Sequence, residues 1–264
     1  MGFRETFGSY VVDMEMCPTL VSGLAELIGP LRDLIPHMSG RKRIPQIELV
    51  AGDNARALIL RHLDPLTAHD LVHLSNFSNS HDVWIYGQSG GYDTVIRHFP
   101  PGDPNAKLAY KLSNSDVTLE FGPTDFIQVN SEINHLLVEA VLKELDLGSE
   151  DCVIDLFCGI GNFSLPIART AKSVLGLEIS KTAVEQARRN AEANDLSIIA
   201  EFVATDLYRP TDNELTKTGY KMLLDPPRSG AGPEFARLAT GCLLYTSDAA
   251  DDTPCVDLGG RRII

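Results

Sequence analysis

A few short stretches hold residue types that could do chemistry together. One is Asp155-Leu-Phe-Cys-Gly-Ile-Gly-Asn162, and Leu224-Asp-Pro-Pro-Arg228 lies far downstream. Glu178 and Asp206 stand between them, and Gln128 precedes them in Phe126-Ile-Gln-Val-Asn130. Gly159 and Gly161 can take the positive φ angles that a sharp strand-to-helix turn needs. Such a turn aims backbone N–H groups at a ligand from a helix N-terminus. Glu178 is placed for a carboxylate that accepts two hydrogen bonds from a ribose diol. Asp206 and Asp225 fall at the next two strand ends, and two prolines after Asp225 fix its loop and remove backbone donors. The set reads as a site for a small nucleotide-like ligand that faces a flat base. A plain tight turn is the simpler alternative, because Ser164 stands where a dinucleotide fingerprint has its third glycine.

The elements that must position these residues change character near residue 125. Before it, short apolar strands alternate with turns: Val11–Met14, Gln46–Val50, Ala57–His62, Val83–Tyr86, Leu108–Leu112 and Val117–Phe121. Helical spacing runs from Leu20 to Leu34 and from Thr67 to Ser78, where Thr67 and Asp70 suit a capping box. After residue 125, strands and helices alternate. Ser131–Leu145 is predicted helical with Ser131 as N-cap, and Val153–Phe157 is nearly all apolar, as buried parallel strands are. A helix follows from Asn162, then strand Ser173–Glu178, a helix capped by Ser180, and strands Ala200–Val203 and Lys221–Asp225. Repeated strand–helix units predict an α/β fold with a doubly wound parallel sheet. The expected organisation is an α+β domain over 1–124, an α/β domain over 125–241, and a tail over 242–264. That tail is loop-like, resembles translated adapter DNA, and is expected to be non-native and disordered.

The chain has 264 residues, 44% of them hydrophobic, enough to fill a real core. No apolar run reaches the length of a membrane span and no leader pattern opens the chain, so the expectation is a cytoplasmic protein with no membrane partner. Five irregularly spaced cysteines argue against a disulfide framework. A net charge of −13 disfavours generic phosphate binding, so any nucleic-acid role must be carried by motifs.

Those motifs carry a resemblance. Asp155–Phe163, Leu224-Asp-Pro-Pro-Arg-Ser-Gly-Ala231 and Phe126-Ile-Gln-Val-Asn130 are similar to the RNA uracil-5-methyltransferases, nearest to the type that acts on a uridine of large-subunit (23S) ribosomal RNA. The resemblance covers roughly residues 2 to 240. It implies an incomplete Rossmann-like class I methyltransferase domain preceded by a small α+β domain, with S-adenosylmethionine as cofactor. It also implies cofactor contacts at Gln128, Phe157, Gly159 and Asn162, with Glu178 on the ribose, Asp206 near the adenine, and Asp225 between cofactor and base. Core packing for Phe157, a helix cap for Asn162 and for Gln128, and a solvated loop acid for Asp206 are the plainer roles. Cys158 lies inside the turn and is expected to be structural.

Cys17, in Val11-Val-Asp-Met-Glu-Met-Cys17-Pro, is similar to the segment holding one ligand of the family's [4Fe-4S] cluster, and one thiolate cannot hold a cluster by itself. The family's chemistry needs a cysteine thiolate at uracil C6, so that the resulting enolate can take the methyl group, and a base that removes the C5 proton. The nucleophile belongs to a Ser-Cys-Asn-Pro motif that does not occur in this sequence, and Cys242 does not match it. No catalytic residue is therefore assigned, and the expectation is a monomeric fragment that binds cofactor weakly and does not turn over. A base methyltransferase that needs no cysteine and a non-catalytic nucleotide- or RNA-binding module are the alternatives.

Overall fold

Proline divides the first helical stretch. Pro30 has no N–H to offer the carbonyl of Glu26, so the run expected over 20–34 splits into α1 (Ser22–Ala25) and α2 (Ile28–Leu34). The computed structural model describes residues 2–4, 11–17, 20–103, 106–208, 220–228, 230 and 231. The tail expected over 242–264 lies outside these. The described residues form two compact units: one holds residues up to 109 and 122–124, and the other holds 110–121 and 125 onward.

In the first unit, β1 (Gly2–Arg4) pairs antiparallel with β2 (Val11–Asp13). A four-stranded sheet follows, built from β3 (Gln46–Ala51), β4 (Arg56–Arg61), β5 (Val83–Gln88) and β6 (Val95–Phe99) in that spatial order. β3 and β4 form the expected hairpin, while β4 and β5 are parallel and connect through α3 (Ala68–His81). Thr67 closes the predicted capping box: its side chain accepts from Asp70 N, and the Asp70 carboxylate accepts from Thr67 N at 2.9 Å. Leu27, Leu31, Leu58, Leu60, Leu74 and Ile85 form the unit's core between helices and sheet.

The hairpin of β7 (Leu108–Leu112) and β8 (Val117–Phe121) belongs to the second unit from Tyr110 on, and α4 (Ser131–Leu145) follows. Asn130 caps α4, accepting from Ile133 N at 3.0 Å, where Ser131 was expected, because Asn130 keeps the extended backbone a cap residue needs. Then come β9 (Cys152–Leu156), α5 (Ser164–Ala168), β10 (Ser173–Glu178), α6 (Lys181–Ala193), β11 (Ala200–Ala204) and β12 (Tyr220–Leu224). The spatial order is β11-β10-β9-β12, all parallel, so the predicted α/β sheet is present. Ser180 caps α6 as expected. Among the described residues no helix is long and apolar enough to cross a membrane.

The hairpin sits with the second unit because α6 reads its backbone. Asn190 accepts from Glu120 N and donates to Glu120 O, and Asn194 does the same to Thr118. Two amides one helical turn apart thus take the place of a neighbouring strand. Asn190 also donates to Ile160 O, which ties the glycine turn to α6. Asn190→Ala leaves these buried groups unpaired and is expected to cost about 2 kcal/mol of stability. Urea unfolding checks this, and an unchanged midpoint would show the amide to be dispensable.

Candidate active site

β9 lies between β10 and β12, so the chain leaves β9 in opposite directions for its two neighbours. The crevice at the carboxyl ends of two such strands is where open α/β sheets bind ligands. Three of the predicted residues line this edge through their own loops: Phe157 and Gly159 after β9, and Asp225 after β12. Glu178 ends β10, and Asp206 follows β11.

The turn after β9 is built from positive φ angles at Phe157 (63°), Gly159 (54°) and Gly161 (97°). A Cβ at Gly161 would meet Leu165 at 3.2 Å, whereas one at Gly159 would meet nothing within 4 Å. Gly161 is therefore a packing requirement, while Gly159 opens onto space where a ligand can approach. Gly159 N donates to Glu178 Oε2 at 3.3 Å, and Ser180 N donates to Oε1 at 2.9 Å. Backbone donors orient the carboxylate and leave each oxygen a further lone pair.

Phe157 is half-buried and meets Tyr208 edge-on at 6.0 Å between ring centroids. Asp206 is exposed and accepts from Tyr208 N at 3.0 Å, and the Tyr208 hydroxyl donates to Gly230 O at 3.1 Å. Tyr208 thus links the loop after β11 to the loop after β12. Asp225 is half-buried, and Gly230, with φ 77°, closes a turn onto Pro227 O.

Asn162 plays a different part. Its amide pairs reciprocally with Asn134 at 2.9 Å in both directions and also accepts from the Tyr110 hydroxyl at 2.8 Å. These bonds clamp the glycine turn to the first turn of α4, and they displace the helix-cap role, since α5 has no side-chain cap. Gln128 is half-buried on the segment just before α4, whose cap is Asn130, so Gln128 does not cap the helix either. Cys17 is buried at 5% exposure in the first unit.

With this geometry in view, comparison with known proteins is decisive. The profile of the tRNA (Uracil-5-)-methyltransferase family matches residues 102–249. The chain belongs to this family. Its relatives include the 23S rRNA (uracil(1939)-C(5))-methyltransferase RlmD of Xanthomonas campestris pv. campestris, 44% identical over 88% of this chain and 52% of that protein. The protein of the same name from Hahella chejuensis is 40% identical over 94% of this chain and 57% of that protein. The chain thus spans about half the length of the curated relatives it matches. Among solved structures, Pyrococcus abyssi tRNA (uracil-54, C5)-methyltransferase, in complex with S-adenosyl-L-homocysteine, aligns with TM-score 0.63 and 20% identity over 89% of this chain and 59% of that one. That likeness shows the shared class I methyltransferase fold.

In this member of the family, Cys158 is buried inside the glycine turn. Its thiol is 4% exposed, and a Cβ at Gly176 would meet its sulfur at 2.9 Å. Burial, reinforced by the Asp155 and Glu178 carboxylates, pushes the thiol well above its ordinary pKa, which suppresses the reactive thiolate. The residue that the sequence reading left without a role is Asp155. It is fully buried and accepts from the Ser164 hydroxyl through Oδ2, while Oδ1 has no partner. The available signal was a single acid inside an otherwise apolar strand. Burial pushes its carboxyl up to about 7; the Ser164 hydroxyl and backbone N–H offset part of this, and the Asp225 and Glu178 charges add to it.

Two outcomes follow from these side chains. Pulse alkylation with mass spectrometry should label Cys158 only after unfolding; rapid labelling of the native protein would contradict its structural role. The unfolded Asp155 carboxyl ionises near 3.8 and the folded one near 7, so the folded state holds the extra proton between these values. Stability is therefore lost as pH rises through that window. Asp155→Asn should raise the thermal midpoint relative to the native chain more at pH 8 than at pH 5, and an equal difference at both would rule out the raised carboxyl.

Proposed function

We propose that the second unit is the methyl-donor site of an enzyme that methylates C5 of a uridine in 23S ribosomal RNA. The observation that carries this reading is the Gly159–Glu178 hydrogen bond, which joins the turn after β9 to the end of β10, with Asp225 following β12 on the other side of β9. The open space over Gly159 fits the close approach of a ligand, and the backbone-oriented Glu178 carboxylate fits a ribose diol. In this reading Phe157, Gly159 and Asn162 surround the methionine part, Glu178 holds the ribose, Asp206 reaches the adenine, and Asp225 lies between donor and base. Gln128 adds a further donor contact from the segment before α4. S-adenosylmethionine supplies a methyl group activated by its sulfonium.

No described thiol suits the addition to uracil C6. Cys158 is buried in the turn, Cys152 begins β9 at the edge of the sheet opposite the site, and Cys17 lies in the first unit. Cys242 and Cys255, outside the described residues, do not stand in a Ser-Cys-Asn-Pro sequence, so in this reading the 264 residues bind the donor without turning over. Cys17 is the one iron–sulfur ligand this chain would contribute, and its buried thiol supports that assignment. Among the described residues no group of three or more His, Cys, Asp or Glu could hold a metal ion. They do not hold a cluster by themselves.

Isothermal titration with S-adenosylhomocysteine tests the donor site. Glu178→Gln is expected to weaken binding at least tenfold, the worth of a charge-assisted hydrogen bond of about 1.5 kcal/mol or more. Undiminished affinity would remove Glu178 from the site. Incubation with tritiated donor and 23S ribosomal RNA should leave the RNA unlabelled, and a cysteine-dependent product would sink the no-turnover reading.

A further inference from the structure

Asp155 is the described side chain of the second unit with a buried oxygen that has no hydrogen-bond partner. It lies one residue from the carboxyl end of β9 and two residues before Phe157, fully buried beneath the strand ends that carry Glu178 and Asp225. The groups facing it come from every element around it. Ser164 of α5 donates its hydroxyl to Oδ2, and its backbone N–H also favours the carboxylate; the carboxylates of Asp225, after β12, and Glu178, ending β10, act on it through their charge; and the buried Cys158 thiol lies within its field. A carboxylate buried among two others is costly unless a cation joins it. The methyl donor carries two cations, its α-ammonium and its sulfonium, at the methionine end that the donor-site reading puts against Phe157, Gly159 and Asn162.

We propose that Asp155 is a proton-linked positioning residue, a neutral acid in the empty site and a carboxylate once the cationic end of the donor lies beside Oδ1. This rests on the donor-site reading above. The step balances simply: the O–H bond of the carboxyl breaks, the proton leaves to solvent, and the ligand's positive charge replaces it. No other bond changes. The direction of the linkage is fixed. The empty site holds the proton more tightly than the occupied one, so affinity rises with pH up to the empty-site ionisation, near 7, and is level above it. The recognition is also selective, because it responds to a cation at the methionine end and not to the nucleoside.

Calorimetry distinguishes these features with three ligands. S-adenosylmethionine carries both cations, S-adenosylhomocysteine carries the ammonium alone, and 5′-methylthioadenosine has the same adenine and ribose with neither. The last also controls for ionisation of Glu178 and Asp206, which face the nucleoside in the donor-site reading. For the native chain, affinity for the two cationic ligands should rise about tenfold between pH 5.5 and 7.5, within the limit of tenfold per pH unit for one proton. Binding heats at pH 6 should differ between buffers of unlike ionisation enthalpy, reporting proton release. Affinity for 5′-methylthioadenosine should change with pH several-fold less. Asp155→Asn should flatten the pH profile for the cationic ligands. Ser164→Ala should move the profile to higher pH, because the lost hydroxyl had favoured the carboxylate. Should Asp155→Asn fail to fold, the buffer-dependent heats of the native chain decide the matter. A flat native profile with buffer-independent heats, or a pH dependence equal for all three ligands, overturns the proton linkage while leaving the donor site standing. Failure of all three ligands to bind overturns the donor site and the linkage together.

Discussion

Three carboxylates held at one edge of a parallel sheet are the constraint on which the second unit depends. Asp155, Glu178 and Asp225 come from three adjacent strands, and no arrangement of β9, β10 and β12 in register keeps their ends far apart. The protein answers with a different device for each. Glu178 receives two backbone N–H groups, Asp155 is buried against a hydroxyl and holds its proton near neutral pH, and Asp225 sits half-exposed before two prolines. The negative edge that results is costly when empty and suited to a ligand with a cationic end and a ribose.

The rest of the unit keeps that edge in shape. The glycine turn is held on three sides: Asn190 of α6 takes Ile160 O, the Asn134–Asn162 amide pair fastens it to α4, and Cys158 fills the space left by Gly176. All three use uncharged groups, which can be buried next to carboxylates without adding charge. Beneath them, Ile154, Leu156, Leu177, Leu207, Met222 and Leu224 form a core that joins the strand ends into one body. The first unit is simpler, a mixed sheet whose helices cover one face, and its local signals were strong.

How much was legible varied with the range of the interaction. The capping box at Thr67 and Asp70, the β3–β4 hairpin and β10 over 173–178 were readable because neighbours a few residues apart determine them. The break near Pro30 was readable in principle, since a proline inside a helical run has no N–H for the carbonyl four residues back. The cap of α4 was misplaced by one residue, because Asn130 and Ser131 are both good caps and only the backbone angles choose between them. The role of Asn162 was not legible, because its partners Asn134 and Tyr110 lie 28 and 52 residues away. The membership of residues 110–121 was hidden for the same reason, since it rests on the amides of Asn190 and Asn194, 70 and 76 residues downstream of their partners Glu120 and Thr118.

The sequence by itself determined the class of fold, the family and the glycines and acids that stand at the strand ends. Glycines at 159 and 161, acids at strand ends and apolar strands are local patterns with few alternative uses when they occur together. Only the tertiary structure decided what state those residues are in. Asp155 could be read as one more acid in a motif until burial, an unpaired oxygen and two neighbouring carboxylates made it a proton holder. Ionisation depends on what surrounds a group in three dimensions, and those surroundings come from strands that are distant along the chain.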